Sequence, residues 1–163
     1  MNIIKLLLTE LDQESAITRK MLECVPDDKF DWQPHPKSMT LRRLATHLAD
    51  LGNWIAMALT TSELNFAQND WKEEVINDTI ALLAYFEQGL AHGKAHLEKA
   101  NEDQLQEMWL LRNGEHIISN TSKYEVIRMT LAQMIHHRAQ LGVFLRLLHV
   151  PIPGSYGPSA DEM

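Results

Sequence analysis

The chain has 163 residues, 15 Lys and Arg against 22 Asp and Glu, a formal charge of −7 and a pI near 5.6. Hydrophobic residues make up 45% and charged residues 23%, an ordinary globular composition that can bury a sizeable core without covalent staples. The acidic balance without a basic run argues against nucleic acid or anionic membranes as partners, and a single cysteine, Cys24, excludes an intramolecular disulfide.

The opening run Ile3-Ile4-Lys5-Leu6-Leu7-Leu8 meets Glu10 and Asp12 at once. It is too short for a signal peptide or a membrane span, so a cytoplasmic protein is expected. Ile3, Leu7, Leu11, Met21 and Leu22 recur near helical spacing and predict a first helix from about Asn2 to Cys24, stopped by Pro26. Cys24 reads there as a passive apolar residue. Pro26, Pro34 and Pro36 forbid a regular helix up to Lys37, and Trp32 is expected to pin that loop to the rest. A second helix begins near Ser38 or Thr40, either of which can cap it. Leu41, Leu44, Leu48, Leu51, Ile55, Ala58 and Leu59 form its apolar stripe to Thr60. A polar stretch, Thr61 to Asn69, follows.

The spacing predicts a third helix over Glu74 to Ala100, buried through Ile76, Ile80, Leu83, Phe86, Leu90 and Leu97. Gly89 and Gly93 either weaken it or permit close packing. Between Glu107 and Ser119, two short apolar runs flank Asn113-Gly114, the pattern of a hairpin that must lean on the helices. Ser122 and Glu125 form a possible capping box for a last helix. It runs to about His149, before Pro151, Pro153 and a turn-rich tail through Tyr156. No repeat or linker divides the chain, so one all-α four-helix-bundle domain over 1–163 is expected.

Helical geometry sorts the eight histidines. At about 100° per residue, His47 falls inside the apolar arc of the second helix, with Asp50 at its edge. By the same rule His137 faces inward on the last helix, Gln133 and Gln140 lie on the margin beside it, and His136 points away. Arg138 falls within the apolar stripe and needs a carboxylate or carbonyl partner. His92 and His96 have metal-ligand spacing but fall on the polar side of the third helix, which predicts solvated residues. His35, His116 and His149 lie in or near loops. Two inward imidazoles on different helices fit a shared ion of Zn, Ni, Cu or Fe(II), which bundle cores commonly host. They equally fit two core histidines, each satisfied by a neighbour.

The second helix reads Lys37-Ser-Met-Thr-Leu-Arg-Arg-Leu-Ala-Thr-His47-Leu-Ala-Asp50. The last helix reads His136-His137-Arg138-Ala-Gln140-Leu, and the tail Pro151-Ile-Pro-Gly-Ser-Tyr156-Gly-Pro-Ser-Ala-Asp161. Together with Thr18-Arg19-Lys20, Val25-Pro26 and Phe30-Asp-Trp32, these strings resemble the DinB family of DinB/YfiT-like proteins over nearly the whole chain. The resemblance implies a four-helix bundle with long crossover connections, often dimeric. It also implies a divalent metal, Zn or Ni, held by three histidines: one on the second helix and two four apart on the last. His47 and His137 match the first and third positions; the middle one is Gln133.

A carboxamide oxygen is a weaker ligand than imidazole for late divalent metals. Gln133 therefore coordinates in a weakened site, or stands beside a water that fills the gap, or marks a site that has lost its metal and kept a polar pocket. A weakened or absent metal is expected over full affinity. The resemblance further implies a metal-dependent transferase, isomerase or hydrolase relative that uses a low-molecular-weight thiol or water. Asp50, Gln140 and Tyr156 are candidate supporting or pocket residues. The alternatives are a non-catalytic stress-response or small-ligand binding module, and a purely structural bundle.

Overall fold

The computed structural model describes residues 2–68 and 74–163; of the predicted polar stretch, Asn69 lies outside them. Four long helices carry the fold: α1 (Ile3–Leu22), α2 (Leu41–Thr60), α3 (Thr79–Lys99) and, after a five-residue α4 (Glu102–Gln106), α5 (Lys123–Leu147). Side chains cap the long helices, at α2 and α5 as sequence suggests. Asn2, Thr40 and Asp78 accept from the third backbone N–H, and Ser122 with Glu125 closes a capping box. α2 packs on α3 and α5, and α1 packs on the same two helices. Consecutive helices α1 and α2 therefore sit across a diagonal, which the connection through 23–40 must cross. That connection is folded, not loose. Phe30 is buried, Trp32 meets Phe144 edge to face at 5.6 Å, and Leu41 and Arg42 donate backbone N–H groups to the carbonyls of Trp32 and Phe30.

The core is aliphatic, with Leu11, Leu22, Leu44, Leu48, Ile55 and Leu131 among its fully buried members. Burying each such side chain contributes about 1.5–3 kcal/mol. Three expectations need correction. First, α3 starts at Thr79, not Glu74, and Ile80 is 84% exposed. Its buried face runs through Leu82, Phe86, Gly89, Gly93 and Leu97. The glycines set that rotation, because a Cβ on Gly52 of α2 would stand 2.5 Å from the Gly89 carbonyl carbon, and one on Gly93 would stand 2.3 Å from the Gly52 oxygen. Only glycine allows the two backbones to touch there.

Second, the fold is mostly helical but not all-α. A three-stranded sheet of order β1-β2-β3 joins β1 (Glu63–Asn65), β2 (Met108–Asn113) and β3 (His116–Ser122), with β1 parallel and β3 antiparallel to β2. The hairpin is present, and Asn113 pairs with His116 so that Gly114 and Glu115 form the loop. Gly114, at φ 60, takes the first loop position, where a II′ turn needs glycine. Third, β1 was hidden in the polar stretch. It is held by a two-pronged ion pair from Arg112 to Glu63, at 2.9 and 3.0 Å. Trp109 leans the sheet on the bundle, packing with Ala58 and Val126 and donating to Thr61 Oγ1 at 2.9 Å. Among the described residues no helix is long and apolar enough to cross a membrane.

Candidate functional site

The glycine contact between α2 and α3 has a chemical consequence. It brings Asp50 and Asn53 of α2 against Tyr85 and His92 of α3. Tyr85 donates its hydroxyl to Asp50 Oδ1 at 2.6 Å, and Asn53 donates to the same oxygen at 2.9 Å. Asn53 in turn accepts from His92 Nδ1 at 3.1 Å. His92 is exposed, and its ring lies 4.7 Å from that of His96. Burial, then the Asp50 carboxylate, pushes the Tyr85 phenol well above its ordinary value. It stays a neutral donor.

α5 brings the second part. The rings of His47 and His137 meet edge to face with centroids 4.6 Å apart. His137 is 7% exposed and donates Nδ1–H to Gln140 Oε1 at 2.8 Å. That bond fixes the tautomer and leaves the Nε2 lone pair available. Half-buried His47 makes no hydrogen bond with another described residue. Burial pushes both imidazoles below the usual histidine value; at His47 the neighbouring His137 and Arg43 add to this and Asp50 opposes it. Gln133 lies half-buried one turn before His137 and bonds to none of these groups. His136 is exposed, its ring 4.9 Å from His137.

A cavity opens beside His47. Its two lobes, of about 320 and 260 Å³, share His47, Asp50, Trp54, Phe66 and Tyr85 as lining. Met57 and Leu64 of the sheet side extend one lobe; Met39, Arg43 and Thr46 extend the other. Thr46 is 2% exposed, and its hydroxyl is the one fully buried side-chain polar atom among the described residues without a hydrogen-bond partner. His137, Gln133 and Gln140 do not line the cavity. Sequence reasoning missed Tyr85, Asn53, Phe66 and Thr46. Helical spacing gave no signal for the last, because Thr46 falls about 160° from Leu44, opposite the apolar arc.

Tyr156 goes elsewhere, which corrects its assignment to this pocket. Its hydroxyl donates to Glu14 at 2.8 Å and accepts from Arg138 at 2.7 Å. Arg138, 2% exposed, also donates to Glu14 Oε2 at 2.7 Å, the Glu14 carbonyl at 3.2 Å and Thr18 Oγ1 at 3.2 Å. The buried arginine thus has both its carboxylate and its carbonyl. The tail holds Tyr156 there: Arg146 pairs with Asp161, Asp161 accepts from the Ile152 N–H, and Glu162 accepts from Gly154 and Ser159.

A metal would need more donors than the histidine pair supplies. Catalytic zinc usually takes three protein ligands, and among the described residues no three His, Cys, Asp or Glu side chains come together to hold an ion. Two imidazoles with a carboxamide one turn away fit a weak site at best.

A family model described as the DinB family matches residues 1–163. Among solved structures, a DinB-like protein from Bacillus cereus gives a TM-score of 0.72 at 18% identity, over 92% of this chain and 95% of that one. YfiT from Bacillus subtilis, described as "a probable metal-dependent hydrolase with an unusual four-helix bundle topology", gives 0.64 at 17% identity, over 90% and 87%. The mycothiol-dependent maleylpyruvate isomerase gives 0.62 at 18% identity, over 85% of this chain and 60% of that one. No curated protein matches the chain. At these identities the structural likeness is one of fold.

Proposed function

The chain belongs to the DinB family, and from that premise we propose that the cavity beside His47 is a small-molecule site built on a degenerate metal centre. The observation that carries this reading is the His47–His137 contact, with Nδ1 of His137 tied to Gln140. A core histidine satisfied on its own would not leave His47 without a hydrogen bond at the wall of a cavity. Zn or Ni would be held by His47 and His137, with Gln133 as a weak third donor. When bound, such an ion lowers the pKa of a coordinated thiol or water.

The residues present do the rest of what a reaction site needs. Trp54, Phe66 and Met57 give apolar walls that bury a substrate frame, and Asp50, held by the Tyr85 hydroxyl, gives a fixed acceptor on one side of it. A mycothiol-dependent isomerase and a protein described as a probable metal-dependent hydrolase, both among the structural neighbours, support a metal-assisted transferase or hydrolase relative as the reaction class. The second reading is a non-catalytic binding module, and Gln133 favours it.

Calorimetric titration with Zn²⁺ and Ni²⁺ separates the readings. The degenerate centre predicts weak uptake that His47→Ala abolishes and Gln133→His tightens by at least about tenfold, the scale on which even supporting groups tune metal sites. Identical titrations for all three proteins would leave only the binding module.

A further inference from the structure

Asp50 is a buried carboxylate, 7% exposed. The other buried carboxylate among the described residues, Glu14, is paired with a buried arginine. Asp50 forms no ion pair with a described residue. Its hydrogen bonds with described residues, from Tyr85 and Asn53, both end on Oδ1, and Oδ2 takes none from them. Buried charges are ordinarily matched by an opposite charge, because desolvation otherwise penalises them.

The cavity wall also holds an orphan. Thr46 Oγ1 is buried, lines the same lobe as Asp50 and meets no partner. A buried hydroxyl left unmade costs about 1–3 kcal/mol, and native proteins keep few of them. Trp54, Phe66 and Tyr85 line the same lobe. Aromatic faces beside a carboxylate attract a cation through the ring quadrupole while covering its apolar frame. Lobes of about 320 and 260 Å³ suit a molecule of drug-fragment size.

We propose that this cavity binds a small organic ammonium on an apolar or aromatic frame, its charge against Asp50 and a polar substituent on Thr46. The inference rests on reading the cavity as a small-molecule site and is independent of the metal. Opposite charge supplies the missing partner of Asp50, the frame covers Trp54 and Phe66, and the net charge of −7 draws cations to the surface.

The test uses the full-length protein with a chelator present and three probes on one frame: 2-phenylethylammonium, 2-phenylethanol and phenylacetate. Calorimetry should find the ammonium at least about tenfold tighter than the alcohol, the scale of a hydrogen bond to a charged group, and phenylacetate weakest. Asp50→Asn should bring ammonium and alcohol level, while Thr46→Val should keep the charge preference. If Asp50→Asn does not fold, the wild-type ammonium-to-alcohol ratio decides alone. Equal binding of ammonium and alcohol, tighter binding of phenylacetate, or no binding of any probe up to about 10 mM overturns the inference. The Zn²⁺ titration keeps the two readings apart: zinc uptake lost in His47→Ala, with no ammonium preference, removes only the ligand class.

Discussion

Two polar clusters are buried in this bundle, one at the α1–α5 seam and one beside α2, α3 and α5. In the first, buried Glu14, Thr18 and Arg138 consume one another's hydrogen-bonding capacity, and the hydroxyl of exposed Tyr156 closes the network from outside. In the second, among the described residues, His47 has no hydrogen-bond partner, the Thr46 hydroxyl is orphaned, and Asp50 has donors but no ion-pair partner. Burial is similar, so burial does not separate structure from function here. Satisfaction does: a closed network locks the tail onto the bundle, while an open one beside a cavity has capacity left for something that is not protein.

Breaking the closed cluster should have the largest effect. Glu14→Ala leaves a buried guanidinium without its carboxylate, and chemical denaturation should show a loss of about 3–5 kcal/mol. His47→Ala, at the open cluster, should cost less than about 1 kcal/mol by the same measurement, because no bond is lost. Comparable losses at the two sites would erase the distinction. The glycine contact that assembles the open cluster comes next. Gly93→Ala forces a Cβ onto the Gly52 carbonyl and should destabilise by about 1–3 kcal/mol.

The contrast also explains what was legible in the sequence. Arg138 declared its need for a partner, because a guanidinium in an apolar stripe has few alternatives. Its partner was not named from the sequence; the structure shows that Leu7, Leu11, Glu14, Thr18 and Met21 continue one helical stripe, with two polar residues where leucines would stand. His47 and His137 were placed inward by spacing alone, and their meeting follows from α2 packing on α5. Tyr85 was not legible. Reading α3 from Leu83 and Ile80 turned it by the wrong angle, and only the contact of Gly89 and Gly93 with α2 reveals the true face. β1 escaped because three residues hold too little alternation to register, and its parallel pairing is made across 47 positions, from Glu63 to Leu110.

Smaller effects sharpen the comparison. Thr46→Val removes an orphan hydroxyl at constant shape, so thermal unfolding should show stabilisation of about 1 kcal/mol. A loss instead would mean that the hydroxyl is satisfied in solution. The tail that serves the closed cluster should respond to acid. Arg146 and the Ile152 N–H hold Asp161 below its ordinary value, and the Gly154 and Ser159 N–H groups do the same for Glu162. Carboxylates depressed in the folded state bind protons more readily when released. Their contribution is therefore present above the ordinary carboxylate range and fades as pH falls below about 4. Limited proteolysis of residues 150–163 should accelerate in that window, and Asp161→Asn should remove most of the pH dependence.

The central claim, that His47, in contact with His137, opens onto a site for something other than protein, meets its most direct test in anomalous diffraction at the zinc edge. Crystals of the wild-type protein and of Gln133→His would be soaked at the same Zn²⁺ concentration. The account predicts a peak within bonding distance of His47 and His137 that is weak in the wild type and strong in the variant. Intact rings with no peak in either protein, or equal peaks that sit away from both histidines, would contradict it.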